Sequence, residues 1–101
     1  MQTQSPRLLF YYDPDFQVEF EPFDDTTANL HVTARNFSSS VLKRMYLVYA
    51  ALEDYLGTHG YKKMITITPN PKFCKLFGGT TINTIQYNGK EHEVIEWVLR
   101  Q

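Results

Sequence analysis

Cysteine is almost absent from this sequence, because Cys74 is the only one among 101 residues. A single thiol excludes an intrachain disulfide and a four-cysteine zinc site, and it favours a reducing compartment. Long apolar runs are also missing, since no stretch approaches the roughly 20 apolar residues of a membrane-spanning helix. The opening MQTQSPRLLFYY carries one arginine and lacks the pattern of a signal peptide. We therefore expect a soluble cytoplasmic protein with no membrane partner.

An excess of charge of either sign is missing too. The chain has 10 basic and 11 acidic residues, a formal net charge of −1 and an isoelectric point near 6.3. Nucleic acid binding draws on positive charge, so no nucleic acid partner is expected. The composition, 43% hydrophobic and 21% charged, is typical of a globular chain. The length fits one domain, 1–101, in which the polar segment 1–6 is expected to be flexible.

The first third of the chain has the pattern of three β-strands. Apolar and polar residues alternate strictly in FQVEF, 16–20, and again in NLHVTARN, 29–36. A period of two is the signature of a strand with one buried face. RLLFYY, 7–12, is a further short strand, separated from the second by the DPD turn at 13–15. Short connections between these strands predict an antiparallel meander.

A helical period follows these strands. Apolar residues recur at steps of three and four, with charged residues between them, which predicts an amphipathic helix of about four to five turns. A serine within 38–40 is the expected N-cap, and Gly57 or Gly60 is the expected stop. The apolar positions are Val41, Leu42, Met45, Val48, Tyr49, Leu52, Tyr55 and Leu56.

The last part predicts a strand, a short helix and a hairpin. KKMITITP, 62–69, is rich in β-branched residues, and KFCKLF, 72–77, has room for one or two helical turns. Asn88-Gly89 is the favoured two-residue hairpin turn. The expected pairs are Tyr87 with Lys90, Ile85 with His92, Asn83 with Val94 and Ile82 with Ile95.

The resulting order is β-β-β-α-β-α-β-β. It predicts an α+β fold with a mixed, mostly antiparallel sheet, one long helix and one short helix. A strand, a long helix and a strand in succession form a right-handed crossover, so the strands that flank the long helix should be parallel.

The turn before the long helix, RNFSSS at 35–40, admits two interpretations. It is either a phosphate cradle, in which backbone N–H groups and serine hydroxyls hold an anion, or a helix cap followed by a polar turn. Serine is a leading N-cap residue on any helix, so the cap explains the sequence without a ligand. Asn70, between two prolines, is open to the same choice between a turn residue and a functional one.

With these stretches, the chain resembles the GNAT superfamily of acyl-CoA-dependent N-acyltransferases over roughly residues 16–101. In that family an Arg/Gln-x-x-Gly-x-Gly/Ala loop opens the long helix and holds the coenzyme A pyrophosphate. RNFSSS stands in the place of that loop, and the spacing from Asn70 to Phe77 matches the family's spacing from Asn to Tyr. The resemblance implies acetyl-CoA as the cofactor. The implied coenzyme site consists of Arg35, Ser38, Ser39, Ser40, Asn70 and Phe77.

The sequence departs from the family in ways that bear on chemistry. Ser38 and Ser40 replace glycines that allow positive φ and a close approach of phosphate to the backbone. Phe77 replaces the tyrosine that commonly protonates the departing thiolate, and phenylalanine has no proton to give. The family's first strand and two opening helices have no counterpart. These departures favour a scaffold whose catalysis is lost or weakened.

Other candidates for chemistry are few. A general base would lie on the outward face of the meander, where the candidates by position are Glu19, Glu21 and His31. We take Glu21 and His31 as the catalytic candidates, although a solvated strand face accounts for each as well. Cys74 has no His or Asp partner at a known spacing and reads as a small buried hydrophobe. In EHE, 91–93, the histidine points away from both glutamates, so no metal site is expected.

Two functions follow from this resemblance. The first is a catalytically degenerate GNAT-like protein that binds a protein partner. Its small size is typical of phage-encoded members, which implies a host-interaction or virion-associated role, in the host cytoplasm or the virion. The alternative is an active minimal acetyl-CoA-dependent N-acetyltransferase that acts on a protein or a small amine. A homodimer is expected because the last strand carries Ile95, Trp97 and Leu99 on a face too apolar for water.

Overall fold

The computed structural model describes residues 7–99, so the prediction for segment 1–6 lies outside the described residues. The predicted order of elements is confirmed. Within residues 7–99, no helix combines the length and apolarity that crossing a membrane requires. The elements are β1 (Leu8–Tyr12), β2 (Phe16–Pro22), β3 (Thr27–Ala34), α1 (Ser39–Thr58), β4 (Lys63–Thr68), α2 (Lys72–Leu76), β5 (Thr80–Tyr87) and β6 (Lys90–Val98).

The strands form one six-stranded sheet in the order β1-β2-β3-β4-β6-β5. Neighbouring strands are antiparallel except β3 and β4, which flank α1 and are parallel as predicted. The alternation in β2 buries its apolar side chains on the face that α1 covers, which places the core between sheet and helix. The largest fully buried side chains are Phe16, Leu30, Leu52, Leu56, Met64, Ile95 and Val18.

The parallel strands β3 and β4 stay together over only a short distance. Their pairing runs from Thr27 with Lys63 to Asn29 with Ile65. Just beyond it, the Thr66 hydroxyl donates to the Leu30 carbonyl at 2.8 Å. Both strands then continue without pairing to each other, so they spread apart toward their carboxyl ends. We call this opening the β3–β4 gap.

Helix α1 begins and ends close to the predicted residues. Ser38 is the N-cap, and Gly60 adopts φ of +92°, the left-handed conformation that ends helices and that glycine tolerates. Gly57 therefore lies inside the helix. The helix buries Val41, Met45, Val48, Tyr49, Leu52 and Leu56. Tyr55, predicted to be inward-facing, is 40% exposed at the edge of that apolar stripe.

The closing hairpin forms around Asn88-Gly89, with one change from the predicted register. Tyr87 pairs with Lys90 as expected, but Ile95 pairs with Thr81 and not with Ile82. A β-bulge between Thr81 and Asn83 is the reason, because it leaves Ile82 without a partner and 51% exposed. A bulge cannot be read from alternation alone.

The last strand corrects one further expectation. Ile95, Trp97 and Leu99 are 0%, 4% and 4% exposed, because they belong to the core under α1. The Trp97 indole N–H donates to the Phe77 carbonyl at 3.0 Å. This apolar face is therefore covered by the chain itself and does not form an association surface.

Candidate active site

A large cavity opens where β3 and β4 separate. Its volume is about 720 Å³, and its walls come from β3, α1, the turn after β4 and α2. We call it the gap cavity. Its wall includes Val32, Tyr49, Asn70, Phe73, Cys74 and Phe77. Cofactor sites are commonly clefts of roughly 300–1,000 Å³ with mostly apolar walls, and this cavity falls in that range.

The serine turn at 38–40 caps α1. The Ser38 hydroxyl accepts a hydrogen bond from the Val41 amide at 3.2 Å and lies 3.1 Å from the Ser40 hydroxyl. The helix-cap interpretation is thereby confirmed. The amides of Ser39 and Ser40 belong to the first turn, where N–H groups have no partner within the helix. They and the helix dipole are what this turn offers to an anion.

The turn lacks the backbone of a glycine-rich phosphate loop. Within residues 7–99, positive φ occurs only at Gly60, Gly78, Asn88 and Gly89, none of them in the stretch 35–40. A concave nest of N–H groups needs residues of alternating handedness. The departure from glycine noted in the sequence therefore has a structural counterpart.

Arg35 is turned away from the gap cavity. Its guanidinium donates to the carbonyls of Asp13 and Pro14, at 2.8 and 3.1 Å, and to the Gln17 side chain at 2.9 Å. It also lies over the Tyr12 ring, 5.2 Å from the centroid. The structure thus ties this side chain to the turn between β1 and β2.

An acidic turn fixes the start of α1, which sequence reasoning missed. Asp13 and Asp15 each accept a hydrogen bond from the guanidinium of Arg44 on α1, and each forms an ion pair with it. The Asn36 amide group donates to Asp15 Oδ1 at 2.9 Å, and the Tyr11 hydroxyl donates to Asp13 Oδ2 at 2.6 Å. The DPD turn therefore holds both the loop before α1 and the helix itself.

These contacts favour the ionised carboxylates. Burial alone would raise the pKa of Asp13, but hydrogen bonds from Tyr11 and from backbone amides outweigh it and lower that pKa. Hydrogen bonds from Arg44 and Asn36 lower the pKa of Asp15. The hydrogen bond to Asp15 in turn raises the pKa of Arg44. The positive charge of Arg44 is thus paired with the two carboxylates of this turn.

Asn70 and Phe77 both line the gap cavity. The backbone N–H of Asn70 donates to the Thr68 hydroxyl at 3.0 Å, which fixes the turn between β4 and α2. The Phe77 ring packs on Tyr49, with centroids 4.6 Å apart, and on Tyr46, at 5.8 Å. Phe77 therefore brings a ring and no hydroxyl to the cavity wall.

Two aromatic rings stack at the edge of the gap cavity. Phe37, from the loop before α1, lies parallel to Phe73 of α2, with centroids 4.6 Å apart and an interplanar angle of 4°. The Phe37 side chain is 52% exposed. This stack connects the loop to α2, and only their tertiary proximity reveals it.

Cys74 does not have the environment of a nucleophile. It is 8% exposed, and burial raises the pKa of its thiol to about 11. The thiolate is the reactive form of cysteine, so this thiol is inert near neutral pH. Its interpretation as a small buried hydrophobe is confirmed.

On the opposite face of the sheet, the two catalytic candidates meet. His31 Nε2 lies 2.7 Å from Glu21 Oε1, and both side chains are about one quarter exposed. Glu19 contacts Gln17 and Arg7 instead. His31 lines a second cavity of about 300 Å³, which we call the outer cavity. Its wall includes Leu30, His31, Thr66, Ile67, Tyr87 and His92.

The β3–β4 gap lies between the two cavities. Val32 and Thr68 line the gap cavity, whereas Leu30 and Thr66 line the outer cavity. A group placed in the gap is thus approachable from both faces of the sheet. Such an arrangement suits a transfer between two molecules that bind on opposite sides.

Known proteins match this chain in structure and not in sequence. No family model and no curated protein matches the sequence. An aminoglycoside 6'-acetyltransferase of type Ii superimposes with a TM-score of 0.76 over 90% of this chain, at 12% identity. A spermidine N-acetyltransferase chimera from Vibrio cholerae and hSSAT gives 0.65 over 83%, at 13% identity. A candidate acetyltransferase of the GNAT family from Desulfovibrio desulfuricans gives 0.59 over 83%, at 14% identity.

The chain has the fold of the GNAT acetyltransferases. The predicted fold is therefore confirmed, and at these identities the likeness concerns the fold alone. The chain spans 58% of the spermidine N-acetyltransferase chimera, 67% of the aminoglycoside 6'-acetyltransferase and 69% of the Desulfovibrio protein.

The residues of this GNAT fold fit an acyl-CoA, although the anchoring of phosphate differs from the family pattern. The gap cavity has a mostly apolar wall that includes Val32 and Thr68 from the two sides of the gap, and the first turn of α1 supplies N–H groups and hydroxyls from Ser39 and Ser40. Lys43 and Lys72 are exposed, on α1 and α2 respectively. Of these two, Lys72 lines the gap cavity, whereas Lys43 lines a separate apolar hollow beside Leu42 and Leu76.

Proposed function

We propose that this protein is an acyl-CoA-dependent N-acyltransferase that binds its thioester on one face of the sheet and its acceptor amine on the other. The observation that carries the proposal is the β3–β4 gap, with a cavity on each face and the His31–Glu21 pair on the acceptor side. The likeness to solved acetyltransferases supports the same class of reaction.

The coenzyme half of the site uses the gap cavity. The amides of Ser39 and Ser40 would hold the pyrophosphate, assisted by Lys72, which lines the gap cavity. When bound, the coenzyme supplies an activated acyl thioester, and acetyl-CoA is the form that the fold's neighbours suggest. The serine hydroxyls replace part of what backbone amides at glycines would give, so we expect a weaker phosphate grip than in a glycine-rich loop.

The acceptor half uses the outer cavity. His31 accepts a proton from the attacking amine, and the Glu21 carboxylate orients the imidazole through the 2.7 Å contact. A volume of about 300 Å³ suits a small amine or the end of a lysine side chain. The nearby Glu21 carboxylate favours an acceptor that arrives as a cation. Such an acceptor gives one proton to solvent and attacks as the neutral amine, and the proton that His31 accepts is the second one, lost as the amide forms.

A second candidate is the catalytically degenerate binding protein. Three features favour it. The serine turn has no positive φ, Arg44 is already paired with the acidic turn, and Phe77 has no hydroxyl that could donate a proton. Exposed Tyr46, Leu47 and Leu76 also surround an apolar hollow of about 480 Å³ on which a protein partner could dock. A phage host-interaction or virion-associated role and a homodimer belong to this candidate.

Ligand-induced stabilisation by acetyl-CoA separates the two candidates. A ligand that binds the folded state stabilises it by about 2.7 kcal/mol at a hundredfold excess over its dissociation constant. We expect a rise in Tm with acetyl-CoA, followed by release of free thiol when an amine is added. Asn70→Trp fills the edge of the gap cavity and should abolish both. Gln86→Trp, exposed on β5 away from both cavities, is the matched control.

The same measurement can reject the enzyme. If millimolar acetyl-CoA leaves the Tm of the wild type unchanged, the coenzyme does not bind and the binding-protein candidate takes its place. If the Tm rises equally in wild type and Asn70→Trp, the coenzyme binds elsewhere and the gap cavity is not its site.

A further inference from the structure

The side of α1 that faces away from the sheet has an apolar centre. Leu47 is 70% exposed and Tyr46 is 60% exposed on this side. A helix face that meets only water normally carries charged and polar residues, whereas the centre of a protein interface is depleted of charge. Between Lys43 and Asp54, the exposed residues of the helix are all uncharged: Tyr46, Leu47, Ala50 and Ala51. This face therefore has the composition of an interface.

Four exposed residues of α1 form a row that is complementary to itself. Lys43, Leu47, Ala50 and Asp54 follow one another at steps of four, three and four, which places them in a line along the helix. We call them the outer row. Lys43 and Asp54 lie equally far from its centre, and so do Leu47 and Ala50. A second α1 that runs antiparallel therefore sets each large residue against a small one, and each cation against an anion.

The surface beside the outer row has a hollow in the place that this pairing requires. The hollow measures about 350 Å³, and its wall includes Tyr46, Tyr49, Ala50 and Glu53. These residues have the spacing of the four-residue hole that receives one side chain in knobs-into-holes packing. It is open because Ala50 has a small side chain. In the antiparallel arrangement, Leu47 of the second copy arrives at the height of Ala50 and can fill it.

The charges at the two ends of the outer row select the direction of the second helix. No ion pair of Lys43 or Asp54 is found among residues 7–99, so both charges are available to a partner. An antiparallel copy brings them together twice. A parallel copy would set lysine against lysine and aspartate against aspartate, which is unfavourable. An anionic membrane does not fit this face, because a helix that lies on a membrane carries several basic residues on its polar face.

We propose that two copies of this chain associate through α1, with the helices antiparallel about a two-fold axis at the centre of the outer row. Each copy uses the same patch, as a two-fold interface requires. Tyr46 and Leu76, both exposed, extend the apolar contact on one flank. Ala51 lies on the other flank, where its small side chain allows close approach. The outer cavity stays open, since it lies on the opposite face of the sheet, and the inference does not depend on the acyltransferase proposal.

The mass of the protein in solution tests this association. Sedimentation equilibrium of the full chain, from micromolar to millimolar concentration, should show the mass rising from 11.8 kDa toward twice that value. Leu47→Glu removes a buried leucine from each of two symmetric contacts and should raise the dimer Kd at least about 100-fold. Leu9→Glu is the matched control, because Leu9 is 59% exposed on β1, and it should keep the wild-type Kd. Both exchanges are at exposed positions, so circular dichroism should show the wild-type fold.

An exchange of charges tests the antiparallel register. Lys43→Glu turns two ion pairs into two repulsions and should raise the dimer Kd about tenfold. The double variant Lys43→Glu with Asp54→Lys restores opposite charges across antiparallel helices, so its Kd should return to within about threefold of the wild type. A parallel pair of helices gives no such loss and recovery.

The opposite results overturn the inference. A chain that keeps a mass of 11.8 kDa up to millimolar concentration does not associate through this face. A dimer that Leu47→Glu leaves unchanged, or that Leu9→Glu weakens equally, is held by another surface. A double variant that associates no more tightly than Lys43→Glu overturns the antiparallel pairing. None of these results bears on the acyltransferase proposal, which binding of acetyl-CoA tests separately.

Discussion

At the scale of single residues, the candidate site divides into side chains that a pattern can find and side chains that it cannot. Glu21 and His31 were predicted because strict alternation places both on the outward face of the meander, and they meet at 2.7 Å. Tyr49 was predicted only as part of the apolar stripe of α1. Its ring contacts to Phe77 and Trp97, with centroids 4.6 and 5.7 Å away, involve residues that approach from other parts of the chain.

The Glu21 carboxylate should matter to catalysis more than its neighbour on the same strand. Glu21→Gln removes the charge that orients and stabilises the His31 imidazole, so we expect kcat to fall about tenfold or more, within the range for acid–base groups. Glu19→Gln removes a charge from the same face without breaking that contact, and its kcat should change by less than about twofold. Steady-state kinetics with a primary amine measures both. Equal losses in the two variants would show that general electrostatics, and not the contact to His31, controls the rate.

At the scale of elements, the ends of helices and strands follow from the residues at those ends, whereas the contacts between elements do not. The Ser38 cap, the Gly60 stop and the Asn88-Gly89 turn were all predicted, since each depends on a residue's own backbone preferences. The bulge at Ile82 and the docking of the DPD turn on Arg44 were not. Asp15 and Arg44 are 29 residues apart, and no local pattern indicates that they pair.

The acidic turn should make stability depend on pH. The ordinary pKa of an aspartate, near 3.8, is lowered in the fold for both Asp13 and Asp15. Their stabilisation is therefore present above the unfolded value and is lost as the pH falls through the lower folded value. We expect the wild-type Tm to decline as the solution is acidified below about pH 4.

Replacement of the shared cation tests this explanation. Arg44→Met should lower the Tm near neutral pH and flatten its decline in acid, because the carboxylates lose their partner. Lys62→Met, at an exposed position before β4, should leave the pH profile unchanged. Thermal unfolding followed by circular dichroism across the acidic range gives both curves. An unaltered slope in Arg44→Met would refute the role of this ion pair.

At the scale of the whole molecule, one six-stranded sheet with the β3–β4 gap sets the positions of both cavities. The parallel crossover was predictable from the order of elements, but the length of the β3–β4 pairing depends on how the turns after each strand pack. The loop after β3 meets α2, the element that follows β4, through the Phe37–Phe73 stack. Sequence reasoning gave no role to Phe37, because a single aromatic residue in a loop has no pattern.

The Phe37–Phe73 stack should couple the loop before α1 to α2. Phe37→Ala removes a parallel ring contact, and such pairs contribute about 0.5–1.5 kcal/mol beyond the area they bury. We expect a modest fall in Tm together with faster amide hydrogen exchange in α2. Phe23→Ala, which removes another exposed ring, should not change exchange in α2. Unchanged exchange in Phe37→Ala would mean that α2 is held by its contacts to the core alone.

The single sulfur of Cys74 has a practical consequence. It is the chain's only cysteine, and it lies on α2 in the wall of the gap cavity. Thiol-alkylating reagents therefore have one target, which they can approach through the gap cavity and which reacts mainly at alkaline pH, because burial raises the pKa of the thiol to about 11. The rate of alkylation would report access to the cavity, and an occupant of the cavity would slow it. The protein thus carries an intrinsic reporter of access to this cavity, without an engineered label.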